Sequence, residues 1–325
     1  MIRILRRLFI GVLVTAVLLA AVPAVQAGSF VTQTYNGRTY KLYIPGGYTG
    51  SSSVPLVVML HGCTQDPDDF AAGTRMNSYA ESNTFQVLYP EQTDSANITK
   101  CWNWYEPAHQ ARGSGEPALI AGMTQQVINT YAVDTDRVYV AGISAGASMS
   151  VIMGATYPDL YAAIGVTAGT QYKAATSALA APTAMIYGGP NPNTQGTLAY
   201  NAMGSQARVV PTIVFHGNSD LVVYPVNAYQ VIDQWAQTND LASDGVDNNN
   251  IDGTPDQYRY VWVPGGKDYT YSAYEDSTGK VIMERYMVNA MGHAWSGGSY
   301  AGSYTDPWGP NATYYMLDFF FDNPK

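Results

Sequence analysis

The sequence of this 325-residue chain predicts an α/β fold, with a doubly wound, mostly parallel sheet and helices on both faces. Continuous apolar runs recur along the chain, as in residues 54–60 and 211–215, and such runs are typical of strands covered on both faces. Helix-compatible segments alternate with these runs, an order that favours parallel strands. In addition, a serine flanked by glycines, in residues 142–146, joins one such strand to one such helix.

The predicted elements justify this fold class in chain order. Residues 35–44 alternate polar and apolar side chains and predict the arm of an antiparallel hairpin at the edge of the sheet. Pro67 and Pro117 each suit the first turn of a helix. The further strands are expected at 54–60, 85–89, 138–141, 162–167, 211–215, 258–263 and 281–289. The helices are expected at 66–82, 117–131, 147–157, 226–238 and 313–321, with a long aromatic-bearing loop at 90–116.

The N-terminal residues have the pattern of a signal peptide. Three arginines precede an apolar core at 8–22, and small residues before position 28 suit cleavage after Ala27. An uncleaved membrane anchor is the alternative, but the apolar core is short for a spanning helix. We therefore expect an exported protein, periplasmic or extracellular, whose residues 28–325 form a single catalytic domain.

Charge and cysteine content narrow the class of protein further. Cleavage after Ala27 leaves 13 basic and 25 acidic residues, a net charge near −12, which argues against nucleic acid or an anionic membrane as a partner.

Cys63 and Cys101 are the only cysteines, and in an exported protein they are expected to form a disulfide. Such a bridge stabilises by about 3–4 kcal/mol in the chain-entropy treatment. Two buried free thiols are the alternative.

The Gly-x-Ser-x-Gly motif at 142–146 carries the chemistry. Between a strand and a helix, this motif is the nucleophile elbow of an α/β-hydrolase, in which a strained turn raises the serine oxygen above the sheet. Ser144 is therefore the predicted nucleophile. Glycines are needed on both sides because a Cβ there would clash with the neighbouring strand and helix.

The serine needs a base, and the base needs a carboxylate to orient it. In α/β-hydrolases the order along the chain is serine, acid, histidine. Only His216 and His293 follow Ser144, and Asp220 lies just beyond a predicted strand end. This order assigns Asp220 as the acid and His293 as the base. His216 as the base is the alternative, but it leaves the glycine-rich loop around His293 unexplained.

The oxyanion hole requires two backbone N–H donors. One is expected from Ala145, the residue after the nucleophile, and the other from the loop at 60–65. We favour the N–H of Cys63, because Gly62 permits a tight turn and a disulfide at Cys63 would hold the donor in place. His61 is expected to hydrogen-bond within this loop rather than to act in catalysis.

Six motifs in sequence order resemble the polyhydroxybutyrate-depolymerase-like esterases, a branch of the α/β-hydrolases that also includes feruloyl and acetylxylan esterases. The motifs are LHGCTQ at 60–65, LYPEQ at 88–92, CWNW at 101–104, GISAG at 142–146, HGNSD at 216–220 and GHAWSGG at 292–298. The resemblance runs from about Tyr40 onward. It implies carboxylester hydrolysis with Ser144, Asp220 and His293 as the triad, and with Cys63 and Ala145 as oxyanion donors.

The sequence departs from the pattern of this family in two respects. Many extracellular depolymerases of this family carry a linker and a polymer-binding module, and neither is recognisable here. Residues 240–257 also have the composition of a surface insertion. Within it, Asp244, Asp247, Asn249 and Asp252 have the oxygen ligands that calcium prefers, although the spacing differs from an EF-hand and the bidentate glutamate is missing. A solvated polar turn is the alternative, and no metal is assigned.

Three tryptophans are candidates for substrate contact. Trp295 lies two residues from the predicted base, and Trp102 and Trp104 flank the predicted disulfide. These tryptophans would bind substrate if their rings stack on a polyester strand or a phenolic acid. The alternative is that they only cover the hydrophobic core.

The sequence thus predicts an exported serine carboxylesterase that needs no cofactor and acts on a neutral ester. The leading substrate is a short-chain polyhydroxyalkanoate or its oligomers, and the alternative is a feruloyl or acetyl ester on plant cell-wall polysaccharide. A non-enzymatic polymer-binding protein is the remote alternative. Neither the oligomeric state nor the acyl group is determined by the sequence.

Overall fold

The computed structural model describes residues 27–325. The predicted signal peptide lies almost entirely outside these residues. Within them, no helix combines the length and the apolar composition that crossing a bilayer requires.

A twisted sheet forms the centre of the described chain, and its strand order is β1-β2-β4-β3-β5-β6-β7-β10-β9-β8. The six strands from β4 to β10 in this order run parallel, whereas β1, β2, β9 and β8 extend the two edges in antiparallel fashion. The strands are β1 (Ser29–Tyr35), β2 (Arg38–Ile44), β3 (Val54–Leu60), β4 (Gln86–Pro90), β5 (Val133–Ile143), β6 (Ile164–Thr167), β7 (Thr212–Gly217), β8 (Gln257–Val261), β9 (Tyr269–Glu275) and β10 (Val281–Val288). Two short strands, β11 (Trp295–Ser296) and β12 (Thr305–Asp306), pair with each other in parallel.

Helices cover both faces of the sheet, as predicted. The helices are α1 (Pro67–Thr74), α2 (Met76–Asn83), α3 (Gly115–Thr130), α4 (Ala145–Thr156), α5 (Ala181–Tyr187), α6 (Pro192–Met203), α7 (Val226–Asp244) and α8 (Ala312–Asp322). The sheet separates two parts of the core, and alternate side chains of β3 point to each of them. Leu56 and Val58 pack toward α3, α4 and α7. Val57 and Met59 pack toward α1, α2 and α8. This is the α/β-hydrolase arrangement that the sequence predicted.

Several element predictions need correction. The helix expected at 66–82 is two helices, because Arg75 between α1 and α2 adopts a left-handed conformation with φ 56°. Six elements were not predicted: β1, β9, α5, α6 and the two-residue strands β11 and β12. α6 was missed because its sequence is polar and contains Gly196, although Asn191 caps it and Pro192 begins it.

The proposed insertion also differs from its prediction. Its first five residues belong to α7, which continues to Asp244 instead of ending at 238. The buried carboxylate of Asp240, within α7, accepts hydrogen bonds from three backbone N–H groups that lie beyond the helix. These groups belong to Asn248, Asn249 and Ile251, at 3.0–3.2 Å. The segment therefore folds back onto the end of α7.

Candidate active site

Ser144 lies in the sharp turn between β5 and α4, with φ 57° and ψ −122°. A residue with a Cβ reaches this conformation only at a cost of about 1–3 kcal/mol, so the surrounding contacts must impose it. Its backbone N–H donates to the carbonyl of Thr167 at the end of β6 at 2.9 Å. The geometry is that of the predicted nucleophile elbow.

The two flanking glycines allow the elbow to pack against β3. A Cβ on Gly146 would lie 2.1 Å from the carbonyl oxygen of Leu60, and a Cβ on Gly142 would lie 2.4 Å from the carbonyl carbon of Gly146. Both distances are far inside van der Waals contact, and both neighbours are backbone atoms that cannot move aside. The predicted reason for the glycines is therefore confirmed.

Asp220 and His293 are joined at the carboxyl ends of β7 and β10. His293 Nδ1 lies 2.7 Å from Asp220 Oδ2. A carboxylate only accepts, so Nδ1 carries the proton and Nε2 is left free to accept one. Asp220 Oδ1 accepts the backbone N–H groups of Val222 at 2.8 Å and Val223 at 3.0 Å, and the carboxylate is buried. These contacts fix both the position of the acid and the tautomer of the imidazole.

His216 also lies beside Asp220. Its Nε2 donates to the carbonyl of Val223 at 2.8 Å and lies 3.5 Å from Asp220 Oδ2. Complete burial lowers the pKa of His216, and its Nδ1 has no partner among the described residues. His216 is completely buried and is not among the residues that line a cavity with Ser144 and His293, which argues against the alternative base.

Ser144 and His293 both line a cavity of about 160 Å³, together with Ile143, Met185 and Val222. Among residues 27–325, the Ser144 hydroxyl has no hydrogen bond to the imidazole, and such contacts are often long in enzymes without substrate. The two larger hollows on the described surface, of about 490 and 450 Å³, contain neither Ser144 nor His293. Ser144 and His293 therefore meet at the smaller cavity, which has a more apolar lining.

The loop after β3 brings Cys63 to the lining of this cavity. The N–H of Gly62 donates to Gln65 Oε1 at 2.8 Å, and the N–H of Thr64 donates to the carbonyl of Thr99 at 2.7 Å. The N–H of Cys63, between them, has no acceptor among the described residues. Ala145 directly follows Ser144 and begins α4, where backbone N–H groups lack intrahelical partners. The assignment of Cys63 and Ala145 as the two oxyanion donors stays a prediction.

The loop is fixed by covalent and polar contacts. A Cys63–Cys101 disulfide is present, which confirms that prediction. His61 Nε2 accepts the N–H of Gln92 at 3.0 Å, and its Nδ1 donates to the carbonyl of Gly62 at 2.7 Å. Burial lowers the pKa of His61 to about 4. His61 is thus a neutral structural residue, as expected.

The three tryptophans are not at the cavity, and the prediction that they contact substrate is wrong. Trp295 exposes only 1% of its surface, because its ring packs edge-on against Phe70 and its Nε1 donates to Thr313 Oγ1 at 3.0 Å. Trp102 is buried with its Nε1 donating to the carbonyl of His61 at 3.1 Å, and Trp104 is buried as well. All three pack in the core and stabilise the loops around the site.

Two of the four residues considered for calcium, Asp244 and Asp252, serve as turn caps. Asp244 accepts the N–H of Val246 and the side-chain amide of Asn248, and Asp252 accepts the N–H of Thr254. Asp247 and Asn249 lie in the same exposed segment. In the part of the chain that the structure describes, no group of three or more acidic, histidine or cysteine side chains is arranged to hold a metal ion.

Four cavity-lining residues escaped the sequence analysis: Gln65, Met185, Val222 and Tyr304. Gln65 and Val222 lie close to predicted site residues in sequence, and that proximity was the available signal. Met185 reaches the cavity because α5 packs beside the loop after Asp220, where the carbonyl of Met185 accepts the N–H of Tyr224 at 2.8 Å. Nothing local in the sequence indicates that contact.

A family model described as esterase PHB depolymerase matches residues 38–250, and this match covers most of the elements that build the site. The chain belongs to this family. It is 35% identical to poly(3-hydroxyalkanoate) depolymerase C of Paucimonas lemoignei over 289 residues, which are 88% of this chain and 65% of that protein. It is 29% identical to feruloyl esterase B of Neurospora crassa, over 89% of this chain and 94% of that protein. The chain thus spans less than two thirds of the depolymerase.

The fold has a solved counterpart. An acetyl xylan esterase from Aspergillus awamori superposes with a TM-score of 0.71 at 22% identity, covering 91% of this chain and all of that one. At this identity the likeness concerns the fold, and it agrees with the α/β-hydrolase architecture described above.

Proposed function

We propose that this protein is a serine carboxylesterase that hydrolyses short-chain hydroxyalkanoate esters. The observation that carries the proposal is the Asp220–His293 pair, joined at 2.7 Å, whose histidine lines one cavity with a serine held in a strained elbow. Membership of the esterase PHB depolymerase family supports the same chemistry.

The residues act in a two-step acyl transfer. The Ser144 oxygen attacks the ester carbonyl as His293 Nε2 takes its proton, and the N–H groups of Cys63 and Ala145 hold the resulting oxyanion. His293 then returns the proton to the leaving alcohol, and an acyl-enzyme forms. Water activated by His293 adds to the acyl carbonyl, and the acid departs while Ser144 regains its proton. Asp220 orients the imidazole and stabilises its cationic form throughout, and no step calls for a cofactor.

The size of the cavity favours a short acyl group. A cavity of about 160 Å³ resembles in volume one that holds benzene, and a 3-hydroxybutyryl group has about as many non-hydrogen atoms. A feruloyl group has about twice as many, and rigid aromatic acids need pockets of the size that drug-like ligands fill, about 300 Å³ or more. Ile143, Met185 and Val222 give the cavity an apolar wall that suits an aliphatic chain.

An acetyl ester on polysaccharide is the second candidate, because an acetyl group is smaller still and fits the same cavity. We propose further that the protein is exported, that residues 28–325 act as one catalytic domain, and that its partner is a neutral ester. The N-terminal sequence pattern and the Cys63–Cys101 disulfide support export.

A panel of esters tests the proposal. We expect kcat/KM for p-nitrophenyl acetate and butyrate to exceed that for p-nitrophenyl octanoate and for ethyl ferulate by about tenfold or more, since longer or aromatic acyl groups overfill the cavity. We also expect hydrolysis of a 3-hydroxybutyrate trimer. Release of acetate from acetylated xylan at a higher kcat/KM than trimer cleavage would move the assignment to the acetyl esterase, and ethyl ferulate as the best substrate would reject the short-acyl proposal.

A further inference from the structure

Three large aromatic side chains lie exposed on one segment after the catalytic histidine. Tyr300, Tyr304 and Trp308 expose 75%, 46% and 58% of their surface. Exposed aromatic residues that cluster beside a cleft are typical of binding sites, whereas scattered ones need no explanation. We propose that these three residues, the aromatic rim, bind the polyester chain on the alcohol side of the scissile ester. The inference rests on the proposed function.

Tyr304 connects the rim to the catalytic cavity. It lines that cavity, and its ring lies edge-on to the imidazole of His293 with 6.3 Å between the ring centroids. Its hydroxyl lies 3.3 Å from Thr64 Oγ1, next to the oxyanion donor Cys63. Because His293 returns a proton to the leaving alcohol, the alcohol must lie beside His293. The rim therefore begins where the alcohol portion of the substrate leaves the cavity.

Tyr300 and Trp308 extend the rim outward from Tyr304. Residues 299–305 form a compact turn that is closed by a hydrogen bond from Thr305 Oγ1 to the carbonyl of Ser299 at 2.9 Å, so Tyr300 and Tyr304 share one small unit. The indole N–H of Trp308 donates to the hydroxyl of Tyr300 at 3.2 Å. Trp308 and Tyr300 are thus in direct contact, and Tyr304 belongs to the same turn as Tyr300.

The rim is held rigidly. The carbonyl of Tyr304 accepts the N–H of Trp295 at 2.7 Å, and Trp295 is itself buried in the core. The N–H of Ser303 donates to Asp69 Oδ1 at 2.8 Å, which ties the turn to α1. A preorganised surface loses little conformational entropy on binding. Most of the free energy gained from contact with the polymer chain therefore contributes to affinity.

The polar atoms of the rim favour a polyester over a polysaccharide. The indole N–H of Trp308 is committed to Tyr300, and the carboxylate of Asp306 is committed to the backbone N–H of Trp308 and to the ammonium group of Lys267. A polysaccharide presents many hydroxyls that lose water and need new partners. A hydroxyalkanoate repeat has no donor and offers mainly CH groups, which pack on aromatic rings without polar partners.

The test compares the ratio of kcat/KM for the 3-hydroxybutyrate trimer to kcat/KM for p-nitrophenyl acetate, because the alcohol portion of the trimer continues past its first repeat whereas that of p-nitrophenyl acetate is a single ring. Taking the ratio cancels a general loss of activity. We expect Trp308→Ala and Tyr300→Ala each to lower this ratio by about tenfold, mainly through KM for the trimer. Trp308→Phe, which keeps a ring, should restore most of the ratio. Trp262→Ala is the matched control, since Trp262 is also an exposed tryptophan and follows the edge strand β8.

The outcomes separate the rim from the proposed function. A wild-type enzyme that cleaves the trimer, with Trp308→Ala changing the ratio no more than Trp262→Ala does, overturns the rim and leaves the proposed function intact. A wild-type enzyme that cleaves p-nitrophenyl acetate but not the trimer overturns the polyester assignment and the rim together. A selective loss in the rim variants with rescue by Trp308→Phe supports the inference.

Discussion

Replacing Ser144 with alanine is expected to lower kcat/KM for p-nitrophenyl butyrate by about 10⁴-fold or more. The reason is that every covalent step in the proposed mechanism passes through the Ser144 oxygen, and the oxyanion donors alone supply only the residual catalysis. The strained turn should persist, since the flanking glycines and the bond from the Ser144 N–H to the Thr167 carbonyl are unchanged. Initial rates and a thermal melt measure the two effects.

Ser82→Ala is a suitable control, because Ser82 is an exposed serine in α2 whose hydroxyl bonds only to the backbone of Ser78. It should retain wild-type activity. An S144A variant that melts normally yet keeps more than a few per cent of wild-type kcat/KM would contradict the assignment of the nucleophile.

Asp220→Asn is expected to lower kcat by about 10⁴-fold while leaving the fold intact. Oδ1 of Asp220 accepts two backbone N–H groups, from Val222 and Val223, so the amide oxygen of asparagine must occupy that position. The amide nitrogen then takes the place of Oδ2 and donates to His293 Nδ1. This bond selects the tautomer that carries its proton on Nε2, and that imidazole is unable to accept the proton of Ser144.

Asp252→Asn is the matched control, because Asp252 also accepts a backbone N–H but lies in an exposed turn outside the cavity. Near-normal activity of D220N, with a variant at His216 causing the larger loss, would instead favour His216 as the base.

The positions of the proposed triad were predictable because these residues follow the ends of strands. Parallel strands direct their carboxyl ends to one edge of the sheet, so motifs that directly follow buried apolar runs must converge there. Ser144, Asp220 and Cys63 each follow such a run within a few residues, and His293 follows the strand beside that of Asp220. Their order along the chain then limited the roles that each could take.

The walls of the cavity were not predictable in the same way. Trp295 follows the catalytic histidine closely, but it enters a two-residue strand that turns its ring into the core. Tyr304, nine residues further, faces the cavity because its backbone is left-handed, with φ 50°, and pairs with Trp295. These orientations depend on tertiary hydrogen bonds that no local sequence pattern encodes, and the same holds for Met185 on the unpredicted α5.

The central claim is that Ser144 is an activated nucleophile in a working triad, and covalent labelling with a fluorophosphonate tests it most directly. The Ser144 oxygen should displace fluoride at phosphorus as His293 takes the proton, which leaves a stable adduct. Mass spectrometry of the digested protein should then locate one adduct per chain, on the peptide that contains Ser144, with parallel loss of esterase activity. The adduct should be missing in S144A and should form much more slowly in D220N. An adduct on a different residue, full esterase activity after complete labelling of Ser144, or no reaction in a correctly folded protein would contradict the account.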